Sequence, residues 1–245
     1  MPCTGVAVVS DFEDHSQLPP PGDGGRSATS QSPLMVSISE LWTTSDAALW
    51  DSAIDRYWDL LLPGNVQLER DLENLQPARL KAMNAQQWYD FLLTEYFKWK
   101  YTAPNRYATT TMHLNRYVTN GHLSQLFEIK ERLLSFDTTD ITCGLKIASE
   151  IRGLGTAGAS GLLALLYPQT FATVDQFVVK ALRGVPGLPD APKLLCMNAE
   201  GLTHRDGEIL IRIMTHKARA NNERFGVSDW TPRKVDKVLW TYGRD

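Results

Sequence analysis

Cysteine is scarce in this chain of 245 residues. Cys3, Cys143 and Cys196 are too few and too scattered for a disulfide framework, a four-cysteine zinc site or a four-cysteine iron–sulfur cluster. Long apolar runs are missing too. None approaches the roughly 18 residues needed to span a bilayer, so no membrane insertion is expected. The five histidines show no ligand spacing, so no metal site is assigned. The opening MPCTGVAVVSDFEDH matches neither a signal peptide nor a basic transit peptide, and a cytoplasmic protein is the expectation. Strand signals and internal repeats are nearly absent, which leaves a mostly α-helical chain.

Positive charge is also in short supply, with a net charge of -3, and this at first disfavours a nucleic-acid partner. The distribution changes that reading. Residues 1–60 hold two basic and nine acidic side chains, while the rest holds 23 basic and 19 acidic ones, a balance of +4. A mildly basic body behind an acidic front remains compatible with phosphate binding.

What is present divides the chain in two. Residues 1–37 carry LPPPGDGGRSATSQSPL, which cannot bury enough apolar area to offset its ordering entropy and reads as a disordered arm. Residues 38–245 read as one helical domain. Trp50, Ile54, Trp58 and Leu61 recur at helical steps after a possible Ser45 cap, with Pro63-Gly64 as the stop and a second helix over Val66–Leu75. Asn84 caps QQWYDFLLTEYFKWKY, apolar on more than one side like a buried helix. Pro104 opens a helix to about Val118, stopped by Asn120-Gly121, and another runs to about Ser135. Thr139 or Asp140 caps Ile141–Ile151. Thr156–Tyr167 follows the Gly153-Leu154-Gly155 turn and is stopped by Pro168. Asp175 stands at the N-cap of Gln176–Leu182, after an extended Thr170–Val174. Thr203 starts a long helix, and Thr231-Pro232 starts the last one.

Gly153, Gly155 and Gly158 admit two readings. As G-x-G-x-x-G, with Asp175 seventeen residues on, they match a dinucleotide fingerprint, but only if a buried strand precedes Gly153. The preceding KIASEI is polar and helically periodic. The other reading is a helix–hairpin–helix: Ile151-Arg152-Gly153-Leu154-Gly155, then a helix with Ala157, Gly158, Ala159, Ser160 and Gly161. Its glycines let successive amides and a helix N-terminus face one DNA phosphate. A plain αα-hairpin with a capping glycine is the structural alternative.

The stretch IRGLGTAGASGLLALLYPQTFATVDQFVVKAL, residues 151–182, resembles the helix–hairpin–helix, Gly/Pro, Asp superfamily of DNA glycosylases, closest to its oxoguanine-glycosylase-like branch. The resemblance implies that family's helical fold, double-stranded DNA as partner, a monomer with no cofactor, and action at the nucleoid or in the nucleus. It implies a base-excision enzyme hydrolysing the N-glycosidic bond of a damaged base such as an oxidised purine. Asp175 falls at the position of the essential aspartate, and Arg152, Gly153, Leu154, Gly155 and Thr156 fall at the backbone-binding hairpin. A fixed carboxylate beside the sugar stabilises the cationic transition state; a structural N-cap is the alternative role for Asp175. Lyase-competent members carry a lysine at the second residue after the hairpin glycine. Here that residue is Ala157, which implies a monofunctional enzyme, with Lys146 and Lys180 as the nearest amines in sequence. The iron–sulfur cluster of some relatives has no counterpart.

Trp99, Lys100, Tyr101 and Arg106 interleave aromatic and basic side chains and could line a base pocket or DNA groove. Trp88, Tyr89 and Phe97 are candidates of the same kind, with core packing as the alternative for each aromatic. Lys217, Arg219, Arg233 and Lys234 are possible phosphate contacts. A DNA-binding module that keeps the hairpin without catalysis is the second functional reading.

Overall fold

A computed structural model describes residues 36–244, which form one unit. The expected arm therefore lies outside the described residues up to position 35. Ser37 belongs to the fold, because its side chain and Glu40 form a capping box that starts α1 (Ile38–Thr43).

Every regular element among the described residues is helical. Asp46, one residue after the expected Ser45, caps α2 (Ala47–Asp59) through the Ala48 amide at 2.9 Å. Pro63 is the first residue of α3 (Pro63–Glu73) rather than a stop. A proline lacks the N–H that the first turn leaves unpaired anyway, so both roles suit it. Pro77 opens α4 (Pro77–Ala82) in the same way. Asn84 and Gln87 form a capping box for α5 (Ala85–Phe91), and the chain then passes through a π-helical turn, Leu92–Tyr96, into α6 (Phe97–Lys100).

The second half follows the expected punctuation closely. Pro104 opens α7 (Pro104–Thr119), and Gly121 beyond its Asn120 cap takes φ +69. Next come α8 (Leu123–Leu133) and α9 (Ile141–Ser149), the latter capped by Asp140. A turn leads into α10 (Thr156–Leu166), whose residues are all buried except Ala157. Asp175 caps α11 (Gln176–Arg183), and a short α12 (Ala191–Cys196) follows. A Thr203–Asp206 capping box starts α13 (His204–Phe225), and α14 (Pro232–Arg244) completes the described chain. None of these helices is long and apolar enough to cross a membrane.

α14 packs against α2, α11 and α13, while α9 packs against α8, α10 and α13. The apolar, almost wholly buried α10 packs on α9 and α13. Trp88, Phe91, Tyr96 and Phe97 are almost fully buried, and Tyr89 is 8% exposed, so Trp88, Tyr89 and Phe97 are core residues and not pocket walls.

Two glycines let the aromatic segment dock on α10. A Cβ on Gly158 would stand 2.5 Å from the Tyr101 hydroxyl, and one on Gly161 would stand 3.0 Å from the Tyr96 hydroxyl and 3.3 Å from Trp99. The Tyr96 hydroxyl donates to the Gly158 carbonyl, and burial holds its pKa well above the ordinary value. The small residues expected on the packing side of the hairpin's second helix are thus where Tyr96, Trp99 and Tyr101 come closest.

Candidate active site

Asp175 sits at a junction. It ends the extended link after α10 and caps α11, its Oδ1 accepting from the amides of Phe177 at 3.0 Å and Val178 at 3.1 Å. Two backbone donors thereby fix the carboxylate, and its second oxygen lies 3.9 Å from Lys100 Nζ, an ion pair too long for a hydrogen bond. Asp175, Lys100, Thr102 and Phe177 line two cavities at once. Their volumes, 280 and 390 Å³, fall near the lower end of the range of about 300–1,000 Å³ common for small-molecule sites.

The first cavity is walled by aromatics over a buried charge network. Tyr57, Trp99, Phe177 and Trp240 supply the rings, and Glu69, Arg233 and Asp236 the charges. Arg233 donates to Glu69 at 2.7 Å and to Asp236 at 2.6 Å, and Asp236 also accepts from the Thr173 amide at 2.7 Å. Trp99 Nε1 donates to the other Glu69 oxygen. Lys237 reaches Glu69 at 3.4 Å.

The network splits the carboxyls. Burial works against the Glu69 charge, but Arg233 and Lys237 outweigh it and hold this carboxyl below its ordinary value. Burial wins at Asp236 and pushes it up to about 7, despite the Arg233 guanidinium beside it. Arg233 keeps its charge, with the two carboxylates raising its pKa against the effect of burial. Sequence reading missed Glu69 and Asp236 because the partners come from α3, α6 and α14. The only local signal was Arg233 three residues before Asp236.

The second cavity contains the hairpin. Gly153, Gly155, Thr156 and Ala157 line it, together with Lys100, Tyr101 and Arg106. The helix α9 precedes the turn where a dinucleotide fold requires a strand, which removes the nucleotide reading of G-x-G-x-x-G. Gly153 is required on two counts. Its φ is +97, and a Cβ there would stand 2.6 Å from the Thr110 carbonyl oxygen. Tyr101, whose hydroxyl burial pushes up to about 12, donates to the Gly153 carbonyl at 3.1 Å and braces the same turn.

Gly155 is the N-cap of α10, in extended backbone with φ -88 and ψ -173, and it offers no side-chain cap to the first turn. A Cβ on it would meet no atom within 4 Å. The first-turn amides of α10 are thereby left without a capping side chain beside the cavity.

Leu154 is buried, with its side chain against Gly158, so only its backbone could face a ligand. Arg152 stacks over the Tyr117 ring at 4.7 Å and lies 3.4 Å from His122 Nδ1. Thr156 is buried, with its methyl toward Gly207. Arg106 is exposed at the cavity rim.

Two possible phosphate contacts prove internal. Arg233 serves the buried network, and Lys217 is buried, donating to the Trp42 carbonyl at 2.6 Å. Burial brings its pKa down to about 8. Lys234 pairs with Asp229, and Arg219 is exposed.

Comparison with protein-family models, curated proteins and solved structures finds no match to this chain. The arrangement itself carries the chemical argument. A fixed carboxylate and a buried amine stand between an aromatic chamber and a rim of open backbone amides.

Proposed function

We propose that this chain is a DNA base-excision glycosylase of the helix–hairpin–helix, Gly/Pro, Asp type, hydrolysing the bond between a modified purine and deoxyribose in duplex DNA. The observation that carries the reading is the position of Asp175 on the wall shared by the two cavities. In this reading the hairpin and the uncapped α10 amides receive a backbone phosphate at the second cavity, with Arg106 at its rim. A base turned out of the stack enters the first cavity, where Trp99, Phe177 and Trp240 offer aromatic faces. Its sugar then lies at the junction. As the glycosidic bond lengthens, positive charge builds on the sugar, and a carboxylate already fixed by two amides stabilises it without reorganising.

Water completes the substitution, so no cofactor is needed. The protein acts as a monomer at the nucleoid or in the nucleus.

The test presents duplexes carrying a panel of damaged bases to wild type and Asp175→Asn, followed by hot alkali to reveal abasic sites. Asparagine caps helices as well as aspartate does, so the variant keeps its fold and loses the charge alone. Base release by wild type, reduced about 100-fold or more in the variant, is expected. Duplex binding without release of any base would instead identify a non-catalytic DNA-binding module.

A further inference from the structure

Lys100 ends α6, and its side chain is 11% exposed. Its stem lies along α10, with Cδ 3.3 Å from where a Cβ on Gly161 would stand, and the amine is set 3.9 Å from Asp175. It lines both cavities, the second together with Ala157. Lys146 and Lys180 are exposed and line neither. A lysine confined in this way is a poor surface cation and a good candidate nucleophile, because amines act on carbonyls only when unprotonated.

We propose that Lys100 forms a Schiff base with the C1′ aldehyde of an abasic deoxyribose and makes this site a lyase, an inference that rests on the glycosylase reading for its substrate. Burial lowers the pKa of this amine, and Asp175 and Asp236 oppose the effect while Arg233 adds to it. Asp175 is the nearest group able to take the proton the amine sheds.

The step is redox-neutral. The amine nitrogen bonds C1′, the aldehyde oxygen leaves as water, and an imine results. A C2′ proton then passes to solvent water and the C3′–O bond breaks. The 3′ phosphate departs with the electron pair, and water hydrolyses the unsaturated imine to free the lysine. The chemistry that the hairpin position 157 lacks is thereby supplied by another residue lining the same cavity.

The test incubates the full chain and duplex DNA carrying one abasic site with borohydride, which reduces an imine to a stable secondary amine. A covalent adduct is expected, with peptide mapping by mass spectrometry placing the added mass on Lys100. In Lys100→Met the adduct yield should fall about 100-fold or more. Absence of a wild-type adduct, or a map onto another amine, overturns the proposal, and the wild-type map decides even if the variant does not fold. Base release from damaged duplexes, read separately with hot alkali, keeps the two readings apart. Release without an adduct overturns the lyase step and leaves the glycosylase reading intact. An adduct on Lys100 with no release from any lesion supports the amine chemistry and overturns base excision.

Discussion

Gly243 tests whether distant packing sets the position of Asp175. It lies in the last turn of α14, the helix packed on α11, and a Cβ there would stand 2.5 Å from the Phe177 carbonyl carbon and 2.7 Å from its Cα. Ordinary carbon contacts begin near 3.5 Å, so Gly243→Ala requires a displacement of about 1 Å. The obstacle is backbone, which no rotamer change relieves. Overpacking of this kind costs about 1–3 kcal/mol, and the better helix propensity of alanine returns up to about 1. The net loss reaches up to about 3 kcal/mol and is about 1.5 at mid-range, which in a chain of this size lowers Tm by about 3–6 °C.

The displaced residue is the one whose amide holds the Asp175 carboxylate at 3.0 Å, so the carboxylate moves with it. A shift of about 1 Å at a reacting group costs on the order of 100-fold in rate. Thermal melting and base-release kinetics on the same preparation read both effects. A variant that melts at or above the wild-type temperature would refute the argument, because the end of α14 would then yield without moving α11.

Two further outcomes follow from the same geometry. Gly155→Ser should leave stability unchanged or raise it by a few tenths of a kcal/mol, since serine is the better N-cap and nothing obstructs its Cβ. Its hydroxyl would occupy the amides offered to phosphate, so affinity for all duplexes should fall alike in a salt-controlled titration; unchanged affinity would remove the hairpin from the interface. Asp236 predicts a pH dependence. Its folded pKa lies above the unfolded value of 3.8, so the native state binds the extra proton and this group's contribution falls as pH rises from about 4 through about 7. The melting temperature of wild type relative to Asp236→Asn should therefore decline across that window, and a rising difference would contradict the assignment.

Local signals were readable where one residue type has one physical use. Pro104, Asn120-Gly121, Asp140, Asp175 and Thr203 punctuate helices where the sequence pattern placed them. Pro63 was misread because a missing N–H serves a first turn and a stop equally. The six-residue helices α1, α4 and α12 are too short to establish a period. At the site, Asp175, Lys100 and the hairpin glycines were visible in sequence. The chamber was not, because Glu69 and Arg233 are 164 positions apart and meet only when α3 and α14 converge. Arg233 and Lys217 show the converse limit. A basic residue near the surface in a sequence pattern can be neutralised or enclosed by partners far along the chain.

The π-helical turn at Leu92–Tyr96 has a consequence for helical phase. An α-helix advances 100° per residue, and a π turn adds one residue without adding a full turn's rotation. Winding this turn as α-helix with all five residues kept would leave the chain's composition unchanged. It would also rotate everything beyond it by about 100°, one residue's advance, relative to α5. Tyr96, Trp99 and Lys100 would swing off α10 together, and the amine and the chamber wall would leave the cavities in a single step. The orientation of the proposed chemistry is therefore set by one surplus residue in a helix that otherwise serves only as core.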